Sequence, residues 1–261
     1  MDDEEFGPAL HTEVLAYTEV LKQADLGATV PGCPGWDVQR LTDHLGRVHR
    51  NVCQMLADPV PERGRWAKLP RGPEGPAVRD WFAAGAAQLE GDLATFAAAN
   101  AVDATSDADA ALVPTWAGPQ PPRFWPRRMA HETAVHRWDA ESAGPAGLDA
   151  TPFDAELAAD GVDEYFEVFT TKRLAPEALA ALGPLELGLV ATDVGRSWLI
   201  RADGRAISCS DAATDPPHAD LVLEAPASTL VLFLWGRLDT AACAVSGDAD
   251  VAVRWHAHVH F

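Results

Sequence analysis

The spacing of apolar residues divides this chain into two parts that must fold differently. Over roughly the first 145 residues, apolar side chains recur every three or four positions, as in Leu10, Val14, Tyr17 and Leu21. That spacing places them on one face of a helix. After Pro176 the chain changes to short runs with strand spacing. The pattern therefore predicts a helical part followed by a mixed α+β part.

Four amphipathic helices are predicted in the first part. The first covers about residues 8–24, the second runs from its cap at Asp37 to about Leu56, and the last runs from about Pro126 to Gly144. The third has Trp81, Leu89, Leu93 and Phe96 on its apolar side. Loops rich in proline and glycine, at about 59–76 and 103–122, lie on either side of the third helix. Such an arrangement is typical of a four-helix bundle, in which metal sites are built from inward side chains of facing helices.

The second part is predicted to be a small α+β domain. A fifth helix is expected over about residues 152–172, and strands in LELGLVATD, SWLIRAD, AISCSD and DLVLEA. Asp203-Gly204 is a hairpin turn signal, ASTLVLFLWGRL is an apolar helix, and the tail DADVAVRWHAHVHF fits a helix or a strand. We place the domain boundary within 145–175 and take the domains as 1–148 and 149–261.

A glutamate and a histidine at helical spacing, Glu132 and His136 in RRMAHETAVHRWDAE, are candidate metal ligands. Residues at i and i+4 lie on the same face of a helix. His44 in GWDVQRLTDHLGRVHR is a third candidate. Two histidines and one carboxylate are a typical catalytic zinc set, which leaves a fourth position open. The alternatives are a solvated or hydrogen-bonded Glu–His pair and a core histidine on the apolar stripe of Leu41, Leu45, Val48 and Val52.

A zinc protease is excluded by the spacing. The motif H-E-x-x-H needs histidines at i and i+4, but His131-Glu132 is followed by Val135 at the second histidine position. His131 and His136 are five residues apart, so they point in different directions from a helix. Glu132 is therefore expected to be a ligand.

Composition limits the class of protein. The 261 residues suit two domains, and the formal charge of −19 argues against nucleic acid and anionic membranes as partners. No apolar run has the length of a membrane span, and the acidic start MDDEEFGPAL does not resemble a signal peptide. We therefore expect a cytoplasmic protein, acting as a monomer. Four scattered cysteines, without C-x-x-C spacing, are expected to be reduced thiols: Cys33, Cys53, Cys209 and Cys243.

Histidines alternate with other residues near the end of the sequence, at His256, His258 and His260. On a strand they could bind a metal ion. A frayed, solvated terminus is the favoured interpretation.

Two segments, CPGWDVQRLTDHLGRVH and RRMAHETAVHRWDAE, resemble the mycothiol-dependent maleylpyruvate isomerase family of actinobacteria. FLWGRLDTAACAVSGDADV resembles the family's C-terminal Trp-Gly-Arg and Gly-Asp segments, so the resemblance covers nearly the whole chain. It implies a DinB-like four-helix bundle followed by a small α+β domain that resembles sterol carrier proteins. It also implies a metal, usually zinc, held by His44, Glu132 and His136, the residues that the spacing had indicated.

The resemblance implies mycothiol as thiol cofactor or co-substrate and a small electrophile as substrate. A divalent metal deprotonates a bound thiol, and the thiolate is the nucleophile. Addition to an activated cis double bond followed by expulsion would isomerise it, whereas a thiol kept on the product would make the enzyme an S-transferase. The alternatives are a metal-dependent hydrolase that uses water and a non-catalytic small-molecule binding or resistance protein.

Four arginines are candidates to bind anionic groups. Arg47, Arg127 and Arg128 flank the proposed ligands in sequence, with a solvated face or an ion pair as the alternative. Arg237, in LWGR, is expected from the resemblance to reach the thiol or the substrate from the second domain. We assign Arg128 and Arg237 to catalysis, and Arg47 and Arg237 to cofactor binding.

Asp139 lies about one turn beyond His136. It is expected to support catalysis by accepting a hydrogen bond from a ligand histidine. A surface or capping role is the alternative.

Overall fold

The computed structural model describes residues 1–59, 66–100, 112–171, 173–212 and 218–260. The chain forms two compact units, Met1–Thr151 and Pro152–Phe261. Parts of the two predicted loops, at residues 60–65 and 103–111, lie outside the described ranges. No helix within those ranges combines the length and the apolar character that crossing a membrane would require.

Four long helices form the first unit, which confirms the predicted helical fold class. They are α1 (Phe6–Gln23), α2 (Val38–Ala57), α3 (Ala77–Asn100) and α4 (Phe124–Ser142). Helices α1 and α2 each pack against both α3 and α4, so the four helices close into a bundle. Single turns of 3-10 helix lie at Asp3–Glu5 and Gly147–Asp149. A short hairpin, β1 (Val113–Thr115) and β2 (Gly118–Gln120), lies within the segment expected to be a loop.

Helix α2 begins where the sequence predicted. Asp37 is its N-cap, and the side-chain Oδ1 accepts a hydrogen bond from the backbone N of Arg40 at 2.7 Å. Such a cap satisfies a backbone donor that the first helical turn leaves open. The start of α2 is therefore fixed, and the side chains along it keep a defined direction into the bundle.

His49 occupies the core row of α2. Leu41, Leu45 and Val52 are buried as expected, but Val48 is only half-buried and His49 is fully buried in its place. Its Nε2 lies 3.0 Å from Oγ1 of Thr133 on α4. Burial lowers the pKa of His49 to about 3, so this ring is a neutral part of the α2–α4 contact.

The second unit is an α+β domain, as predicted. Its elements are α5 (Ala155–Glu164), continued by a π-helical segment Tyr165–Thr170, α6 (Pro176–Leu182), β3 (Pro184–Ala191), β4 (Arg196–Asp203), β5 (Ile207–Asp211), β6 (Leu221–Ala225), α7 (Ala227–Leu234), a 3-10 turn Thr240–Ala242, β7 (Ala244–Gly247) and α8 (Asp250–His258). The sheet has the order β5-β4-β3-β6-β7, with β3 and β6 parallel and the other pairs antiparallel.

The β4–β5 turn and the C-terminal tail of this unit were both considered in the sequence. The turn between β4 and β5 forms at Asp203-Gly204, where Gly204 has a φ of +82° and Asp203 Oδ1 accepts from the backbone N of Arg205 and of Ala206. The tail is a helix, so the terminal histidines do not form a strand row. His256 Nε2 lies 2.8 Å from the carbonyl oxygen of Phe233.

The buried neutral state of His49 predicts how stability depends on pH. The unfolded chain takes up a proton below the ordinary pKa of 6.5, whereas folded His49 resists protonation down to about 3. The contribution of His49 to the free energy of unfolding is therefore fully present above pH 6.5. It is lost as the pH falls from 6.5 toward 3, by up to about 1.4 kcal/mol per pH unit. Urea titrations between pH 7 and pH 4.5 should show a shallower loss in His49→Gln than in the wild type.

The matched control for this prediction is His260→Gln, since His260 is exposed. It should follow the wild-type pH dependence. Parallel curves for His49→Gln and the wild type would contradict a neutral, buried His49.

Candidate metal centre

Three side chains from α2 and α4 converge inside the bundle. Glu132 Oε1 lies 3.3 Å from Nε2 of His44 and 3.4 Å from Nε2 of His136. The three atoms lie within 4.8 Å of one another, and the two imidazole rings meet nearly edge to face, with centroids 5.1 Å apart. The arrangement arises because Glu132 and His136 share one face of α4 and His44 lies on the facing helix.

Arg128 fixes the other oxygen of Glu132. It lies one turn earlier on α4, is almost fully buried, and its Nη2 donates to Oε2 at 2.5 Å. Burial alone would raise the pKa of Glu132, but the Arg128 guanidinium and the hydrogen bonds from His136 and His44 hold that pKa well below its ordinary value. The carboxylate is therefore ionised, with Oε1 turned toward the two histidines.

Asp139 orients His136 from the opposite side of the ring. Its fully buried Oδ2 lies 2.9 Å from His136 Nδ1. Burial alone would lower the pKa of His136, yet the hydrogen bonds to Asp139 and Glu132 raise it to about 9. An ionised carboxylate only accepts hydrogen bonds, so Nδ1 donates to Asp139 and Nε2 faces Glu132.

The donor set fits a divalent metal ion. It combines two imidazole nitrogens with one carboxylate oxygen, as in catalytic zinc sites that keep an open position. The raised pKa of His136 shows that the surroundings already favour a positive charge at this point. A carboxylate that orients a ligand histidine through its other nitrogen is also a usual feature of such sites. The assignment of these three residues as ligands stays a prediction.

The centre is less enclosed on the side of His44. The His44 side chain is 32% exposed, against 10% for His136. Trp36, in the turn before α2, packs against the His44 ring with centroids 5.0 Å apart. A small molecule would therefore approach past His44 and Trp36.

The remaining predicted residues lie in different places. Arg47 Nε is 3.2 Å from Asp43 Oδ2 on the same helix, so it makes an ion pair. Arg127 is half-buried in the first turns of α4. His131 is buried, with its ring 6.2 Å from that of Phe6, and is not in the cluster.

Arg237 belongs to the second unit. It follows α7, is half-buried, and its Nη1 donates to the carbonyl oxygen of Trp235 at 2.9 Å. Its predicted role at the centre stays a prediction.

Sequence reasoning missed two residues that touch this cluster. Trp36 packs on His44, and Cys33 Sγ lies 3.4 Å from Asp139 Oδ2. Both belong to the turn VPGCPGW. The turn was recognised from its prolines and glycines, but turn composition carries no signal for which helix residues its side chains contact, whether His44 close by in sequence or Asp139 about a hundred residues later.

Family models match both parts of the chain. The mycothiol maleylpyruvate isomerase N-terminal domain matches residues 8–141, and the MDMPI C-terminal domain matches residues 156–254. Because the first match alone spans more than half of the chain, the protein belongs to the mycothiol-dependent maleylpyruvate isomerase family, which is a family of enzymes. The resemblance inferred from the sequence is thus confirmed.

Solved structures show the same fold. A crystal structure of the mycothiol-dependent maleylpyruvate isomerase is 15% identical, with a TM-score of 0.59 over 94% of this chain and 93% of that chain. A histidine-to-alanine mutant of that isomerase is 14% identical, with the same TM-score and coverage. At these identities the similarity shows the fold alone. A search among curated proteins gives no match.

The geometry predicts which histidine is needed for metal binding. His136→Ala removes a central donor, so metal content should fall from about one equivalent to less than roughly a tenth of that. His131→Ala is the matched control, because His131 is a buried histidine of the same helix outside the cluster. Elemental analysis of the purified proteins measures both, and full metal content in His136→Ala would refute the centre.

Proposed function

We propose that this protein is a mycothiol-dependent isomerase or S-transferase that acts on a small electrophile at a divalent metal, with zinc as the first candidate. The observation that carries the proposal is the convergence of His44, Glu132 and His136 in a chain of this family. The family and the related isomerase structures support the use of mycothiol. The metal is supported by the ligand geometry.

The bound metal would supply Lewis-acid stabilisation of a thiolate, which is the nucleophile that both reactions need. The protein side chains hold the donors in place for it. Arg128 holds Glu132 Oε2 so that Oε1 faces the histidines, and Asp139 holds His136 Nδ1 so that Nε2 does so. Such preorganisation keeps the donors ready before the substrate arrives.

The two bundle arginines assigned from the sequence have partners that suggest positioning roles. Arg128 is paired with Glu132, and Arg47 with Asp43. We therefore propose that Arg128 acts by orienting Glu132. We propose that Arg47 acts by holding the side chain of Asp43 on α2. Asp43 also accepts a hydrogen bond from the backbone N of Gly72 at 2.7 Å, which ties this part of α2 to the loop before α3.

Isomerisation and S-transfer share the same first step in this proposal. The thiolate adds to one carbon of an activated double bond, and the electron pair moves onto the activating group. Rotation about the resulting single bond and loss of the thiol give the trans isomer, while protonation gives a stable thioether. Which outcome follows depends on the electrophile.

Removal of the metal should abolish the activity. After extensive dialysis against a chelator, consumption of a maleylpyruvate-type substrate with mycothiol should fall to background, and added Zn²⁺ should restore it. Glutathione in place of mycothiol should support far less turnover if the sugar portion of mycothiol is recognised. Undiminished turnover in the metal-free protein would refute the mechanism.

The same assay separates the rivals. Ester or amide hydrolysis without mycothiol would identify the protein as a hydrolase. A metal-loaded protein that turns over neither type of substrate would favour a non-catalytic binding role.

The proposed role of Arg237 can be tested in the full-length protein. Arg237→Ala should raise the KM for mycothiol or for the electrophile roughly tenfold, the typical effect of losing one charge-assisted contact, and should leave metal content unchanged. Arg205→Ala is the control, since Arg205 is an exposed arginine in the β4–β5 turn. Wild-type kinetics for Arg237→Ala would remove Arg237 from the site.

A further inference from the structure

The turn before α2 holds Cys33 in a fixed position. The backbone N of Cys33 donates to the carbonyl oxygen of Val30 at 3.2 Å, and its own carbonyl oxygen accepts from Trp36 N at 2.9 Å. Val30 N closes the turn onto the carbonyl oxygen of Trp36 at 3.0 Å. Gly35 adopts a φ of +78°, a conformation that favours glycine. The backbone hydrogen bonds of the turn therefore hold the Cα–Cβ bond of Cys33 in one direction.

The Cys33 thiol contacts the carboxylate that holds His136. Its Sγ lies 3.4 Å from Asp139 Oδ2, and the same oxygen lies 2.9 Å from His136 Nδ1. An ionised carboxylate has no proton to give, so the thiol and the imidazole both donate to this atom. The three groups form a continuous chain from the turn to the ring of a proposed ligand.

We propose that Cys33 is a positioning residue of the metal centre: its thiol fixes the Asp139 carboxylate, which fixes His136 with Nε2 directed at Glu132 and His44. This inference rests on the proposed function, because it takes those three residues to be metal ligands. Its physical basis is that Asp139 is fully buried. A buried carboxylate that loses a donor is less well compensated and less firmly held.

The turn supports both histidines at once. Trp36 packs against His44, and Cys33 reaches His136 through Asp139. One short segment thus constrains a ring on each of the two helices that build the centre.

A rival reading makes Cys33 a direct ligand. Sγ of Cys33, a nitrogen of His136 and an oxygen of Asp139 also lie within 4.8 Å of one another. The 2.9 Å separation of His136 Nδ1 and Asp139 Oδ2 is a hydrogen-bond length. That bond leaves Nδ1 without a lone pair for an ion, so the geometry favours positioning.

The experiment measures Co²⁺ affinity of the full-length protein by competition with a chromophoric chelator. Cys33→Ala should bind Co²⁺ about tenfold more weakly, at the lower end of the effect of losing an outer hydrogen-bond partner of a metal ligand. Cys33→Ser keeps a donor and should stay close to wild type. Cys243→Ala, in the second unit, is the cysteine control and should leave affinity unchanged.

A double variant tests whether the effect of Cys33 on metal binding passes through Asp139. If Cys33 acts through Asp139, the double variant Cys33→Ala/Asp139→Asn should bind no more weakly than Asp139→Asn alone. Wild-type affinity in Cys33→Ala, or fully additive losses in the double variant, would overturn the inference. A wild-type protein that binds no Co²⁺ would overturn it as well.

The Co²⁺ absorption spectrum separates positioning from ligation. The visible bands should change in Cys33→Ala and return in Cys33→Ser, with no sulfur-to-cobalt charge-transfer band in the wild type. A charge-transfer band that disappears in Cys33→Ala would make Cys33 a ligand and overturn the positioning role. None of these measurements uses mycothiol. A failure of the proposed thiol-dependent activity would therefore appear only in the activity assay, and a failure of the Cys33 role only in Co²⁺ binding.

Discussion

The ion pair between Arg128 and the carboxylate of Glu132, inside the helical bundle, is the interaction on which the centre depends. A buried charge destabilises the fold unless it is paired and hydrogen-bonded. Here the compensation comes from Arg128 on one oxygen and from His44 and His136 on the other. Arg128 lies one turn before Glu132, so the pair is built into a single helix. Removing Arg128 would take away the guanidinium that holds Oε2, so the orientation of the Glu132 carboxylate depends on Arg128.

Helix α4 is an unusual core helix because many of its buried residues are polar or charged, including Arg128, His131, His136, Arg137 and Asp139. Arg128, His136 and Arg137 each meet a carboxylate. Arg137, for example, places Nε 2.8 Å from Oε2 of Glu13 on α1. Buried polar networks of this kind hold side chains in one arrangement when they are satisfied. The bundle therefore presents defined donors where an apolar core would present none.

The sequence predicted what local spacing determines. Helices α1 to α4 follow from apolar periodicity, and the shared face of Glu132 and His136 follows from the helical pitch. The sequence did not decide whether Arg128 binds the substrate or pairs with Glu132, because the same i and i+4 spacing suits both.

Other features depend on tertiary contacts that leave no local pattern. His49 and Val48 are neighbours in sequence, and the packing of α2 against α3 and α4 decides which of them is buried. Trp36 contacts a residue of the helix that follows the turn, and Cys33 contacts a residue of α4, which is distant in sequence. The short β1–β2 hairpin has three-residue strands, too brief for an alternation signal.

The turn at residues 30–36 has a consequence for how this centre can vary among related chains. Because its two contacts come from one contiguous segment closed by its own backbone hydrogen bonds, any insertion or deletion there would displace Trp36 and Cys33 together. The proposed ligands on α2 and α4 would remain on their helices, but both histidine rings would lose these contacts. The length of this segment is therefore tied to the arrangement of the proposed ligands, although none of its residues is proposed to touch the metal.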